Sequence, residues 1–274
     1  MTNEEFAEIA GVVRRRSGIV LTSDKAYLLE TRLGPTLTRF NLASLAALGQ
    51  KLRQRPDEAM ERAVVEALTT HESSFFRDGK PFEHLARILP RLIAGRTQGT
   101  PLRIWSAACS TGQEPFSIAM LMADALAGRM DCRVEIFATD ISGEVLQRAR
   151  QGLFTQFEVQ RGLPIRSLVK HFRQEGAKWR ISPELAAMVR FEERNLLNSL
   201  ATLGRFDAIF CRNVLIYFDA PTKTRVLEAL AGRLSSDGVL YLGGAETVLG
   251  LTDRLAPIPG ERGAYGISIQ KAAA

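Results

Sequence analysis

The stretch from Leu102 to Met120, LRIWSAACSTGQEPFSIAM, constrains the fold of this chain more than any other. An apolar strand runs into a turn of small residues, and the turn leads directly into a helix with Pro115 near its start. Small residues let the backbone approach a ligand closely, and free N–H groups at a helix start favour binding there. A second apolar run, Val134 to Ala138, precedes Asp140, whose carboxylate could accept both hydroxyls of a ribose. The pattern predicts a nucleotide-type pocket.

Strands and helices alternate from Leu102 onward, which predicts a doubly wound α/β sheet. The predicted strands are 102–107, 133–138, 188–192, 206–211 and 238–242, and the predicted helices are 115–127, 142–150 and 221–234. The stretch from Phe154 to Arg190 breaks the alternation and predicts a small inserted β-subdomain. The tail from Arg254 to Ile269 predicts a closing hairpin at the sheet edge.

The first 70 or so residues predict an all-helical module, because their apolar residues recur at helical spacing. These residues are Phe6, Ile9 and Val13, then Leu42, Leu45, Leu48 and Leu52, then Met60, Val64 and Leu68. Gly34-Pro35 should end or kink a helix that begins near Asp24. We therefore expect a helical domain over 1–69 and a sheet domain over 70–274, with the insertion at about 154–190.

Composition narrows the class of protein. The chain has 274 residues, of which 46% are hydrophobic and 24% charged, and it lacks a continuous apolar run that could span a bilayer. Acidic residues near the N-terminus argue against a secretory signal, so we expect a cytoplasmic protein. Three cysteines without CxxC spacing and three histidines predict neither disulfides nor a metal site. The net charge is +6, and no segment of the sequence is basic enough to resemble a nucleic-acid-binding arm.

Polar side chains follow each of the first four predicted strands of the sheet, where ligands bind in such folds. They are Ser110 and Glu114 after the first, Asp140 after the second, Asn195 after the third and Asn213 after the fourth. Each has a simpler reading alone; Asp140, for example, could be a helix N-cap beside Ser142. The absence of GxGxxG and GxxxxGK[ST] argues against a dinucleotide or nucleoside triphosphate. A nucleoside without phosphates remains, which points to S-adenosylmethionine, with Glu114 available for its ammonium group.

Five motifs in order along the chain resemble those of the CheR-type chemoreceptor glutamate O-methyltransferases. They are TTHESSFFRD at 69–78, WSAACSTGQEP at 105–115, ATDIS at 138–142, RNLL at 194–197 and FDAIFCRNVLIYFD at 206–219. The resemblance covers nearly the whole chain. It implies a small helical domain followed by a class I S-adenosylmethionine-dependent methyltransferase sheet.

The resemblance also implies the reaction and the residues of the site. The product would be a glutamate methyl ester with S-adenosylhomocysteine, formed without a metal on cytoplasmic helical domains of methyl-accepting chemoreceptors. The implied cofactor contacts are His71, Ser73, Arg77, Glu114, Asp140, Asn195 and Asn213, with Leu196 and Val214 beside the adenine. Arg77 and Tyr217 would be the catalytic pair. Arg77 would position the reacting groups, and Tyr217 would form a hydrogen bond near the methyl group that is transferred. On composition alone, Arg77 would be a solvated charge and Tyr217 a packing aromatic.

The chain departs from the family pattern in its substrate-binding regions. His71 stands where asparagine is common, and the basic residues Lys25, Arg32 and Arg39 are sparser than the family's basic helix. The inserted segment HFRQEGAKWRI at 171–181 is shorter than the Gly-rich turn of members that bind a receptor pentapeptide. We therefore expect methylation that does not depend on a receptor pentapeptide. We also expect a monomer that joins receptor arrays through protein contacts and does not insert into the membrane.

Two other functions remain open from the sequence. One is a noncatalytic signalling module that binds S-adenosylmethionine or S-adenosylhomocysteine. The other is a nucleic-acid methyltransferase, which the sequence pI near 9.5 permits. The chain lacks an NPPY-type loop and an extended basic face, so we expect no nucleic-acid partner.

Overall fold

The computed structural model describes residues 2–54, 57–94, 100–127 and 132–268. The chain divides into two units, each described separately below. One comprises Met1–Thr70 with Tyr217–Lys223, and the other comprises His71–Ile216 with Thr224–Ala274. No helix within the described ranges is long and apolar enough to cross a membrane.

The first unit is built from five helices in its described residues. They are α1 (Asn3–Ser17), α2 (Ala26–Arg32), α3 (Gly34–Arg39), α4 (Leu45–Gln54) and α5 (Glu58–Leu68). A capping box between Thr2 and Glu5 starts α1, and Gly18 ends it in the left-handed conformation that glycine adopts at low cost. The predicted break at Gly34-Pro35 is confirmed, because α2 ends at Arg32 and a separate helix carries the proline in its first turn.

The core of this unit comes from the predicted helical stripes. Ile9 and Val13 of α1, Leu48 of α4 and Val64 of α5 are fully buried. The late segment Tyr217–Lys223 joins the same unit: the Val20 N–H donates to the Tyr217 carbonyl at 2.8 Å, and Ile19 forms a β-bridge with Phe218. Arg14 of α1 also pairs with Asp219 at 2.5 Å.

The second unit contains, within its described residues, a sheet of seven strands in the order β6-β2-β1-β7-β8-β10-β9. The strands are β1 (Leu102–Ala107), β2 (Val134–Asp140), β6 (Val189–Glu193), β7 (Phe206–Cys211), β8 (Leu234–Leu242), β9 (Leu255–Pro257) and β10 (Ala264–Ile267). The first five are parallel, and β9 and β10 add the predicted antiparallel hairpin at one edge. Ile269, the last residue assigned to that hairpin, lies outside the described residues.

Helices connect the parallel strands and confirm the doubly wound α/β class. They are α6 (Lys80–Ala94), which precedes β1, then α7 (Gln113–Ala125), α8 (Gly143–Gln151) and α12 (Ala220–Ala231). The predicted start of the last strand, residue 238, was wrong: β8 begins at Leu234, which pairs with Phe206. The polar residues after Leu234 look like a turn in the sequence, but the structure accommodates them as an irregularity in the register.

The predicted insertion forms a small antiparallel sheet, in the order β3-β5-β4 across its described residues. Its elements are β3 (Leu153–Thr155), α9 (Gln156–Gln160), α10 (Ile165–His171), β4 (Phe172–Glu175), β5 (Lys178–Ile181) and α11 (Pro183–Ala187). Phe75 packs edge-on against Phe154 and Phe172, with ring centroids 4.9 and 5.6 Å away. Gly162 approaches so closely that an added Cβ would lie 2.1 Å from the Phe75 carbonyl oxygen. The FFRD motif is therefore anchored under the insertion.

Candidate active site

The turn after β1 has an unusual backbone that brings main-chain groups to the carboxyl edge of the sheet. Ala108 and Ser110 are left-handed, with φ of 58° and 51°, and Gly112 has φ of 97°. The Cys109 N–H donates to the Thr139 carbonyl at 2.9 Å, which fastens the turn to β2. An added Cβ at Gly112 would lie 3.1 Å from the Ala149 Cβ, so the glycine allows close packing against α8. Left-handed non-glycine residues cost about 1–2 kcal/mol each and persist where surrounding contacts hold them.

Asp140 is the buried carboxylate at the end of β2, and 4% of it is exposed. Its Oδ2 accepts from the Ser110 N–H at 2.8 Å and its Oδ1 from the Ser142 N–H at 3.1 Å. Burial raises the pKa of Asp140, while these hydrogen bonds and the charge of His71 oppose the rise. A carboxylate offers about four lone-pair sites, so Asp140 keeps acceptor capacity for a further donor. Asp140 is not the N-cap of α8, because Ser142 takes that position.

His71 is brought to the same place. The Ser110 hydroxyl donates to the His71 carbonyl at 3.0 Å, so the start of this unit is fastened to the turn after β1. Ser73 is half-buried in the same segment.

Glu114 is buried in the first turn of α7, and the structure gives it a cationic partner within the protein. One oxygen accepts from the Ser106 hydroxyl at 2.8 Å, and the other accepts from Arg212 Nη1 at 3.1 Å. Burial raises the pKa of Glu114 and the charge of Arg212 lowers it. The suggestion that Glu114 holds a ligand ammonium stays a prediction, and Arg212 is a cationic partner that Glu114 already has within the protein.

Arg212 is a site residue that the sequence analysis missed. Its side chain is 2% exposed, and Nη2 donates to the Arg77 carbonyl at 2.7 Å and to Asp78 Oδ2 at 2.6 Å. Within the described part of the chain, its Nε is buried without a hydrogen-bond partner. The available signal was the Cys-Arg-Asn sequence, in which a charged residue directly follows a strand buried along its whole length.

Arg77 lies in a tight turn between two left-handed residues, Phe76 with φ of 46° and Asp78 with φ of 66°. The Phe76 N–H donates to the Ser117 hydroxyl at 2.9 Å, which holds this turn against α7. The half-buried Arg77 side chain donates from Nη1 to the Glu72 carbonyl at 3.0 Å. The segment 71–78 therefore reaches the same edge of the sheet as Glu114 and Arg212.

The loops after β6 and β7 carry the other predicted contacts. The Arg194 N–H donates to the Asp140 carbonyl at 2.9 Å, and Asn195 Oδ1 accepts from the Leu197 N–H at 2.9 Å, which fixes a turn around Leu196. Asn213 is left-handed with φ of 58°, and Val214 beside it is half-buried. Tyr217 is half-buried and belongs to the helical unit described above.

The assembled groups are of the types that an adenosyl cofactor with an amino-acid end requires. A buried carboxylate retains free lone pairs at the end of β2, a buried guanidinium retains an unused Nε, and a glycine opens the turn after β1. The described residues contain no group of three or more His, Cys, Asp or Glu side chains suited to a metal ion.

Comparison with protein families agrees with this arrangement. Residues 71–264 match the model described as "CheR methyltransferase, SAM binding domain", where SAM is S-adenosylmethionine. Residues 4–69 match "CheR methyltransferase, all-alpha domain". The chain is thus an S-adenosylmethionine-dependent methyltransferase with a doubly wound sheet.

Relatives extend the match over most of the chain. It is 40% identical to chemotaxis protein methyltransferase 1 of Pseudomonas aeruginosa, covering 92% of this chain and 93% of that protein. It is 38% identical to the chemotaxis protein methyltransferase of Vibrio parahaemolyticus, covering 93% of each. The structure of the glycopeptide N-methyltransferase MtfA with sinefungin has a TM-score of 0.38 at 12% identity over 64% of this chain and 52% of that chain, too weak a likeness to bear on function. This chain belongs to the CheR methyltransferase family.

Proposed function

We propose that this chain transfers a methyl group from S-adenosylmethionine to glutamate side-chain carboxylates of chemoreceptors. The products are glutamate methyl esters and S-adenosylhomocysteine. Family membership across both domains and the names of the relatives support this function. Esterification removes a negative charge at each methylation site, which would reset receptor sensitivity.

The observation that carries the proposal is that the site is arranged for binding rather than for proton transfer. The carboxylates of Asp140 and Glu114 are buried and already hydrogen-bonded, and burial raises the pKa of the Cys109 and Cys211 thiols, so these thiols stay protonated. A glutamate acceptor needs no general base, because its reference pKa of about 4.3 leaves it ionised at neutral pH. The bound cofactor supplies an electrophilic methyl group. The protein has to align the acceptor and exclude water from it.

We assign the predicted residues to parts of the cofactor according to their chemistry. Asp140 accepts hydrogen bonds from ribose hydroxyls, using the acceptor capacity that its main-chain donors leave free. The charged pair Glu114–Arg212, together with Arg77, serves the amino-acid end. The adenine and the adjoining polar groups are surrounded by His71, Ser73, Asn195, Leu196, Asn213 and Val214. Arg77 and Tyr217 remain the proposed catalytic pair, with Tyr217 near the transferring methyl.

The helical domain, residues 1–69, is proposed to dock on the acidic cytoplasmic helices of the receptor. Arg39 is exposed and its guanidinium lies 5.3 Å from the Phe40 ring centroid. Arg32, by contrast, donates from Nη1 to the Thr69 carbonyl and the Thr70 hydroxyl at 3.5 and 3.4 Å. Arg39 is therefore the better site for testing receptor docking, since changing Arg32 would also disturb the end of this unit.

Independence from a receptor pentapeptide is also proposed, on the basis of the hairpin between β4 and β5. Glu175 pairs directly with Lys178, so only Gly176 and Ala177 form the loop, and Gly176 has φ of 60°. Glu175 also forms an ion pair with Arg180. This short loop offers little surface for a peptide. Calorimetry with a receptor C-terminal pentapeptide should give no saturable heat, and tight binding would contradict the proposal.

The decisive experiment uses labelled S-adenosylmethionine with receptor-containing membranes and cell nucleic acid in parallel reactions. Label on the receptor that is released by mild alkali, as a carboxyl methyl ester must be, supports the proposed function. A receptor fragment with its methylation-site glutamates replaced by alanine is the matched control and should stay unlabelled. Alkali-stable label on nucleic acid would instead indicate a nucleic-acid methyltransferase. Binding of S-adenosylhomocysteine without transfer to either would indicate a signalling module.

The proposal also covers the oligomeric state of the enzyme and its place in the cell. The enzyme acts as a monomer in the cytoplasm and reaches receptor arrays through protein contacts. Size-exclusion chromatography with light scattering should give the mass of one chain, about 30.2 kDa. A concentration-independent dimer would contradict the monomer.

A further inference from the structure

Glu246 lies in the turn that follows β8 and is 9% exposed. Its Oε2 accepts from the Gly243 N–H at 2.6 Å and the Asn213 N–H at 2.9 Å, while its Oε1 accepts from the Ile216 N–H at 3.3 Å. The Glu246 N–H donates in turn to the Gly243 carbonyl at 2.9 Å. One carboxylate thus joins the turn after β8 to the loop after β7.

Gly243 also lies close to Asn213, and an added Cβ there would lie 2.8 Å from Glu246 Oε2 as well. An added Cβ at Gly243 would lie 2.7 Å from Asn213 Nδ2 and 2.9 Å from the Asn213 main-chain nitrogen. Real Cβ atoms are essentially never that close to a neighbouring atom, so any larger residue would displace the Asn213 amide. Gly243 therefore sets the place of the Asn213 side chain, and Glu246 sets the place of its backbone.

Asn213 needs such support because its backbone is left-handed, with φ of 58°. That conformation costs most L-residues about 1–2 kcal/mol, and although asparagine tolerates it better than most, the neighbouring contacts are what fix it here. Hydrogen bonds from N–H groups to an ionised acceptor are roughly twice as strong as neutral ones. The Glu246 carboxylate is thus well suited to hold this conformation before a ligand arrives.

We propose that Glu246 and Gly243 are positioning residues for cofactor binding, which hold the loop of residues 212–216 so that Asn213 meets S-adenosylmethionine in a ready conformation. The inference rests on the proposed role of Asn213 as a cofactor contact. Neither residue needs to touch the cofactor. Their effect is to remove the ordering cost that binding would otherwise include.

The test compares Glu246→Gln with Gly243→Ala, using S-adenosylhomocysteine as the probe in calorimetry. Gln keeps the size of the side chain but replaces one acceptor oxygen with an NH₂ group that faces N–H donors. We expect each variant to bind the probe about 10- to 100-fold more weakly. The KM for S-adenosylmethionine should rise, while the KM for the receptor stays unchanged. Glu246→Asp, which keeps the charge, should recover part of the affinity.

Glu228→Gln is the matched control, because Glu228 accepts from the Thr252 hydroxyl and pairs with Arg254 at 3.4 Å, contacts with no part in the proposed site. It should leave probe affinity unchanged. Hydrogen exchange gives a readout independent of activity. The amides of Asn213, Gly243 and Ile216 should exchange faster in Glu246→Gln than in the unaltered chain, and at an unchanged rate in Glu228→Gln.

The outcomes separate this inference from the proposed function. If the unaltered chain fails to bind the probe, the proposed cofactor site itself is wrong. If the unaltered chain binds the probe and both variants bind it as tightly, the cofactor site stands and the positioning role is refuted. If Glu246→Gln unfolds rather than binding weakly, Glu246 is a structural residue and the inference is overturned as well.

Discussion

Replacing Arg212 with methionine should destabilise the protein strongly, because it leaves the Glu114 carboxylate buried without its cation. The two side chains are 2% and 11% exposed, and Arg212 also holds Asp78 and the Arg77 carbonyl. Removing one partner of a buried ion pair costs about 3–5 kcal/mol. We expect Arg212→Met to lower the free energy of unfolding by that amount at pH 8, and Glu114→Gln in the same chain to restore about 1–3 kcal/mol.

The loss should depend on pH in a defined direction. Burial raises the pKa of Glu114 and Arg212 lowers it, so the Arg212→Met variant should have a still higher pKa at Glu114. In the unfolded chain the same group ionises near pH 4.3. The penalty is therefore absent below that pH and grows as the pH rises towards the folded-state pKa. The stability difference between the variant and the unaltered chain should be smaller at pH 5.5 than at pH 8.

Urea unfolding followed by fluorescence and circular dichroism at the two pH values measures both effects. Arg180→Met is the control, since Arg180 and Glu175 form an exposed ion pair, and exposed pairs contribute little to stability. A loss for Arg212→Met no larger than that of the control would refute the reasoning. So would a loss independent of pH that Glu114→Gln fails to reduce.

The remaining predictions concern binding and turnover. Asp140→Asn should weaken S-adenosylhomocysteine binding about 10- to 100-fold by calorimetry, since a neutral amide replaces an ionised acceptor; unchanged affinity would exclude Asp140 from the site. His71→Asn should move the acid limb of the affinity profile to higher pH, because the protonated imidazole lowers the raised pKa of Asp140; superimposable profiles would refute this. Tyr217→Phe should lower kcat about tenfold with probe affinity kept, and a selective loss of affinity would contradict its catalytic role. Arg39→Glu should slow receptor methylation without weakening cofactor binding, whereas equal losses of both would argue against docking through the helical domain.

The sequence predicted best those features that depend on neighbouring residues. The turn after β1 was predictable because small residues lead from an apolar strand into a helix with Pro115 near its start, and Asp140 because it ends an apolar strand. The insertion was recognisable as a break in the alternation, although its strand order was not. The extent of β8 was missed because its polar residues 235–237 resemble a turn.

Features that depend on distant residues could not be predicted in the same way. Arg212 lies 98 positions from Glu114 and 134 from Asp78, so its role appears only when the fold brings those carboxylates to it. The contacts of Phe75 with Phe154 and Phe172 of the insertion also join residues far apart in the chain. Glu246 was not singled out at all, because its partners are main-chain N–H groups and leave no trace in side-chain patterns.

The late segment Tyr217–Lys223 has a consequence for building hybrid enzymes. It is 147 positions or more from the end of the helical stretch (217 − 70), yet it contacts Val20, Ile19 and Arg14 of that unit. A chimera made by joining two homologues at residue 70 would combine the Tyr217 segment of one parent with the helical residues of the other. Recombination between paralogues should therefore succeed only when both pieces, early and late, are inherited from the same parent.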